Sequence, residues 1–286
     1  MVASPLLDAH ALIRSDDLAR YPFQPLGPPL EPREREQGHT DTQLLAVLDD
    51  AQVERAVLVQ RGRLYGYDNR YVCDAAAAHP DRLQYVCQVD ALERECERHA
   101  RDWLARGAVG VRFMEAVRGV DLGWLDGEGA QLVWRVACEQ GVPVNVHLFG
   151  WNRSAGLAAL LRLLSATPPQ ALVLDSLAGT TVESGPPDYG IDAPLRAVLA
   201  FPGAYLKLTG TTLARLATAR LSAAALLERL VSEVGVQRLL WGTDILGPGQ
   251  TYSSVIAQMR AATAALSPAA QARVLHGTAA ALYPLR

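Results

Sequence analysis

The chain has 286 residues, half of them hydrophobic, with 20% charged residues and a formal charge of −3. That supplies apolar residues enough for one large core, while the charge gives no electrostatic case for nucleic acid or an anionic membrane surface. No basic and apolar leader opens the sequence and no apolar run reaches the ~18 residues of a membrane span, so a small molecule is the expected partner.

In chain order, short apolar runs alternate with longer helical patterns. Leu6–His10 reads as the opening strand and ends in Asp8-Ala9-His10-Ala11-Leu12. A proline-rich stretch from Ser15 to Thr40 follows, carrying the charged run Glu31-Pro32-Arg33-Glu34-Arg35-Glu36. It reads as a long loop over the active end of the fold, a candidate lid. Further strands are expected at Arg55–Gln60, Leu83–Asp90, Val109–Phe113, Pro143–Leu148, Ala171–Ser176, Ala204–Gly210 and Arg238–Asp244. Most are continuously apolar, as parallel strands covered on both sides are.

Between them the periodicity predicts helices over Asp41–Gln52, Asn69–His79, Glu93–Arg106, Glu128–Gln140, Ala155–Ala166, Ala193–Ala200 and Ala223–Val234. Tyr252–Leu266 and Pro268–Tyr283 close the chain as extra C-terminal helices. Asn69 is placed to cap its helix, and Gly107, Gly141, Gly203 and Gly235 follow helices where a left-handed cap is wanted. Eight strand–helix units of this size point to an α/β fold, a (β/α)₈ TIM barrel, as a single domain over 1–286. Cys73, Cys87, Cys96 and Cys138 show no CxxC spacing and read as buried reduced thiols, the pattern of a cytoplasmic protein. Trp124 in "LGWLDG" reads as an exposed aromatic of the kind a homodimer interface would cover.

Chemistry in such a barrel comes from the C-terminal strand ends. The polar residues there are His10, Gln60, Asp90, Arg112, His147, the pair Asp175-Ser176, Thr209 and Asp244. Two histidines and an aspartate on three converging ends are the candidate catalytic group: His10, His147 and Asp244. Arg112 and Arg118 stand six residues apart at and beyond the fourth strand, and guanidinium forks suit carboxylate or enolate oxygens. Glu115 could instead hold one of them. Tyr65 and Tyr67 in "RLYGYDNRY" and Trp151 in "LFGWNRS" are candidate aromatic contacts for a flat substrate.

The segments "LLDAHALI", "GVRF", "VNVHL", "LVLDSLAG", "YLKLTG" and "RLLWGTD", in this order and spacing, resemble the strand motifs of the amidohydrolase superfamily. The likeness is to its amidohydrolase-related group, whose members include 2-pyrone-4,6-dicarboxylate lactonase and carboxymuconate-semialdehyde decarboxylase. The resemblance implies a ligand set of two histidines on the first strand, one each on the fifth and sixth, and an eighth-strand aspartate. By position this chain keeps His10, His147 and Asp244 and carries Leu12 and Ser176 in the other two places. The expectation is an enzyme without cofactor, a lactonase or cyclase working metal-free on a small, flat, oxygen-rich substrate of the lactone, pyrone or polyketide type. Asp244 would be its base, and Ser176 and the two arginines would be substrate contacts. The alternatives are a zinc-dependent hydrolase or decarboxylase on the reduced set His10, His147 and Asp244, or a non-catalytic ligand-binding member.

Overall fold

The computed structural model describes residues 5–119, 121–244 and 250–285. Eight parallel strands follow one another round a nearly closed barrel: β1 (Leu6–Ala11), β2 (Val53–Val59), β3 (Leu83–Gln88), β4 (Gly110–Met114), β5 (Val144–His147), β6 (Leu172–Asp175), β7 (Ala204–Thr209) and β8 (Leu239–Gly242). Each lies within two residues of an expected strand start. The helices cover the outside. Asp41–Asp50 is typical: a capping box between Thr40 and Gln43 opens it, and Leu44 and Leu48 face the sheet.

The helical expectations need several corrections. Helices over Pro32–Glu36, Gly62–Tyr65, Gly123–Asp126 and Gly210–Thr218 were not expected, the last because Thr-Gly-Thr-Thr reads as a turn. Thr209 in fact caps that helix through its hydroxyl. The expected final helix is broken into Pro268–Ala272, a π-turn over Arg273–Gly277, and Thr278–Leu282. There the Trp241 indole N–H donates to the Leu275 carbonyl at 2.7 Å, drawing that carbonyl toward β8. Asn69 does not cap its helix. Its amide is spent on the backbone of Gln88, accepting from the N–H at 2.8 Å and donating to the carbonyl at 2.9 Å. Gly107, Gly141 and Gly235 are left-handed as expected. Gly203 is not; a Cβ there would fall 2.7 Å from the Phe201 ring. Trp124 is buried, contrary to the expectation of an exposed aromatic. The four cysteines are unpaired thiols, three buried and Cys138 half-buried.

The barrel's inner core gathers Leu7, Ala9, Val57, Val86, Val173 and Leu240. Its lower end is closed by Tyr283, whose hydroxyl donates to Asn145 Oδ1 at 2.7 Å while its carbonyl accepts from Arg55 at 2.8 Å. The seam between β8 and β1 is joined by the buried Asp8 carboxylate. It accepts the backbone N–H groups of His10 and Thr243, both at 2.9 Å, and the hydroxyls of Thr243 at 2.5 Å and Tyr252 at 2.9 Å. β8 comes so close here that a Cβ on Gly242 would fall 2.4 Å from the His10 Cβ, so only glycine fits. Pairing of β1 with β2 is irregular between Asp8 and Ala11, which re-aims the chain around His10.

The stretch after β1 is a packed arm. Tyr21 and Leu30 are buried in it. Arg63 holds it from below, bonding Glu34 with two nitrogens at 2.8 and 2.9 Å and the carbonyls of Leu26 and Pro28 at 3.1 and 2.6 Å. Among the described residues no helix is long and apolar enough to cross a membrane.

Candidate active site

The strand ends bring His10 and Asp244 together. His10 is buried, with Nδ1 3.7 Å from Asp175 Oδ1 and Nε2 3.7 Å from Asp244 Oδ1. Asp244 sits just past β8 in a left-handed conformation, φ 57°, which aspartate tolerates better than most side chains. Its backbone N–H donates to the His10 carbonyl at 2.7 Å. Its carboxylate accepts from the Thr211 hydroxyl at 2.9 Å and from Ser176 at 3.4 Å. Ser176 begins a run of four left-handed residues, Ser176 to Gly179. Gly179 is required there, since a Cβ would lie 2.5 Å from the Leu148 carbonyl oxygen.

Beneath them lies a buried charge cluster. Asp175 meets Lys207 Nζ at 2.8 Å and Arg112 Nε at 3.0 Å, and both Asp175 and Lys207 are fully buried. Burial alone would push the Asp175 carboxyl up. The Lys207 ammonium foremost, then His10 and Arg112, hold it well below its usual range. Arg112 also donates to the Gln60 carbonyl at 3.3 Å. His147 lies beside this cluster. Its own burial and then the Arg112 charge lower its pKa to about 4, so the ring is neutral at neutral pH. Its buried Nδ1 has no hydrogen-bond partner among the described residues. The ring packs 4.6 Å from Phe149, which stacks on Trp151 at 5.5 Å.

These groups open into a cavity of about 540 Å³, a size suited to a small organic ligand. His10, Arg112, His147, Ser176 and Asp244 line it, as the sequence predicts. Leu12, Met114 and Phe149 give it an apolar wall. The other expected contacts fall elsewhere. Arg118 is exposed on the turn after β4 and does not line the cavity, so the expected pair of arginines is not assembled. Glu115 bonds no arginine among the described residues; it accepts the Val117 N–H at 2.6 Å and fixes that turn. Tyr65 is a buried packing residue whose hydroxyl accepts the Ser15 N–H at 2.7 Å. Tyr67 is half-buried outside the lining, and Trp151 stands behind Phe149 at the rim. Sequence reasoning missed Arg61, Arg63, Arg215 and Thr211, which line the cavity, and Lys207, which braces its floor. Arg61 and Arg63 closely follow a strand end, at "VQRGR", which was the available signal; Arg215 lies within the unexpected helix Gly210–Thr218.

The family likeness raises the question of a metal. Among the described residues no three His, Cys, Asp or Glu side chains are arranged to hold one. Leu12 presents hydrocarbon where a second imidazole would stand, Ser176 offers a weak hydroxyl donor, and Lys207 and Arg112 already supply positive charge to the floor. Of the implied ligand set, His10, His147 and Asp244 remain on the cavity wall.

The chain resembles solved structures along its whole length. One is a probable 2-pyrone-4,6-dicarboxylic acid hydrolase from Acinetobacter baumannii with citric acid bound, 18% identical, TM-score 0.72, covering 97% of this chain and 98% of that one. Another is an amidohydrolase from Burkholderia multivorans with bound zinc, 18% identical, TM-score 0.73, covering 99% and 100%. A third is a 5-carboxyvanillate decarboxylase from Novosphingobium aromaticivorans with bound manganese, 14% identical, TM-score 0.69, covering 98% and 97%. At these identities the likeness establishes the fold. No curated protein matches the chain. The amidohydrolase family model matches residues 7–285, and with the barrel and its strand-end site in place the chain belongs to the amidohydrolase family.

Proposed function

We propose that the chain is a metal-independent enzyme that opens, or in reverse closes, a lactone-type ring in a small, flat, oxygen-rich substrate. Asp244 is the general base. It takes a proton from water as the water oxygen bonds to the lactone carbonyl carbon and the carbonyl π pair moves onto oxygen. Collapse of that oxyanion breaks the ring C–O bond, and the departing oxygen recovers the proton from Asp244. In the closing direction a substrate hydroxyl takes the place of the water. His147 and His10 lie along the same wall to hold the carbonyl oxygen. His147 does so as a neutral donor, because its pKa lies near 4. The Lys207–Asp175–Arg112 cluster carries one more positive than negative charge under the site, which favours the oxyanion.

The observation that carries this reading is the seating of Asp244: a carboxylate bonded to Thr211, 3.7 Å from His10 Nε2, facing the cavity. That gap is long for a hydrogen bond, as catalytic contacts often are before substrate closes them. The fold likeness to a probable pyrone-dicarboxylic acid hydrolase supports the substrate type. A panel of 2-pyrones and aryl lactones, followed by loss of ring absorbance, tests the reaction. Asp244→Asn is expected to abolish turnover with the melting temperature unchanged, and wild-type activity is expected to survive exhaustive chelation. Stoichiometric zinc or manganese, with activity lost on its removal and regained on its return, would assign a metal-dependent hydrolase or decarboxylase instead. Ligand binding without turnover across the panel would favour a non-catalytic role.

A further inference from the structure

We propose that Arg61, at the end of β2, selects the substrate's charge by binding an ionised oxygen, a carboxylate or equally acidic enol, on the side of the cavity covered by the arm. The inference rests on the cavity being the substrate site, as proposed above.

The cavity's other arginines each already meet a carboxylate. Arg112 is paired with Asp175, Arg63 with Glu34, and Arg215 with Glu183 at 2.6 Å. Arg61 lines the same cavity, is only 5% exposed, and forms no ion pair among the described residues. Among the described residues its guanidinium makes one hydrogen bond, from Nη1 to the Gln37 carbonyl at 2.5 Å. Burial pushes its pKa down to about 10, against the pull of Tyr65, Asp244 and Glu34, so it is still charged at neutral pH. A desolvated guanidinium without a counter-ion is costly, and an incoming anion recovers that cost in the low dielectric where the attraction is strongest. The planar fork leaves its remaining N–H groups for a carboxylate, while Leu12, Met114 and Phe149 offer apolar surface to the ring. Gln37 belongs to the arm over the mouth, so an anion on Arg61 would be bound by a group that also holds the arm down.

The test uses the full chain and two probes of one shape, 2-naphthoate and the uncharged 2-naphthamide, by calorimetry at low salt. Wild type is expected to bind the naphthoate about tenfold tighter or more than the amide. Arg61→Met should erase the preference, Arg61→Lys should keep part of it, and Arg135→Met on the outer surface should leave it intact. Naphthoate, and not naphthamide, should also slow proteolysis within residues 15–40. Equal affinities for the two probes in wild type, no naphthoate binding at millimolar concentration, or a preference lost in Arg112→Met but kept in Arg61→Met would each overturn the proposal. The wild-type comparison stands even if a variant fails to fold. Asp244→Asn should keep the preference, so a failure of the catalytic reading shows separately from a failure of this one.

Discussion

Lys207 is the only lysine in the sequence, and it is spent inside the barrel on Asp175. Removing one partner of a buried pair leaves the other uncompensated, so Lys207→Met should cost about 3–5 kcal/mol by urea unfolding. Removing the rest of the cluster as well, with Asp175→Leu and Arg112→Met, should recover much of that loss, and a cost for the single variant below about 1 kcal/mol would show that Arg112 alone satisfies the carboxylate. A solitary lysine was visible in "YLKLTG", yet its partner was not, because only the assembled sheet sets β6 beside β7. Arg118 went the other way. Spacing placed it near Arg112, but the Glu115 carboxylate ties back the Val117 N–H and the turn carries Arg118 outward. His10, His147 and Asp244 were legible because strand ends in a parallel barrel have one destination.

His147 gives a pH signature at the same scale. Its folded pKa lies near 4, below the ordinary 6.5. A histidine kept neutral in the fold contributes stability that is whole above about 6.5 and is lost as pH falls through that window toward 4. Asp175, held well below 3.8, contributes in the same sense, and its share goes only in stronger acid. Ring shifts of His147 followed by NMR should give a midpoint near 4 in wild type. Arg112→Met should move it upward, since that guanidinium is the chief cause after burial. A wild-type midpoint near 6.5 would contradict the burial of this ring.

Among the elements, the arm between β1 and the helix Asp41–Asp50 connects sequence to function most directly. Its prolines and charges suggested a loop over the mouth, and Glu34 does line the cavity. The hydrogen bonds that dock it come from Arg63 and Arg61, on a separate segment, so no reading of the arm alone could find them. Arg63→Ala should free the arm: faster proteolytic cleavage within residues 15–40 and lower turnover, with global stability changed by no more than about 1 kcal/mol, as for a partly exposed ion pair. A large drop in melting temperature with unchanged kinetics would make the arm part of the core. The strands were legible as apolar runs. The helices Gly62–Tyr65 and Gly210–Thr218 were not, because each begins on a glycine within three residues after a strand's end, where glycine reads as a turn.

At the scale of the whole molecule, order and spacing of weak motifs identified the barrel where no single motif could. Closure itself was invisible: the Asp8 carboxylate that joins the first strand to the last, and Tyr283 sealing the floor, make contacts between residues far apart in the chain. The isolation of Lys207 has a practical result. Amine-reactive reagents normally report on a protein's surface, but here the only side-chain amine is fully buried beneath the site. Acylation of Lys207 in native buffer therefore counts molecules whose barrel interior has opened, with the ordinary background of surface lysines absent. Mass spectrometry of the peptide containing residue 207 should show labelling that follows the rate of global unfolding and slows when a ligand fills the cavity. Rapid labelling of the folded chain, with its far-ultraviolet spectrum unchanged, would mean that reagent reaches the floor through local motion.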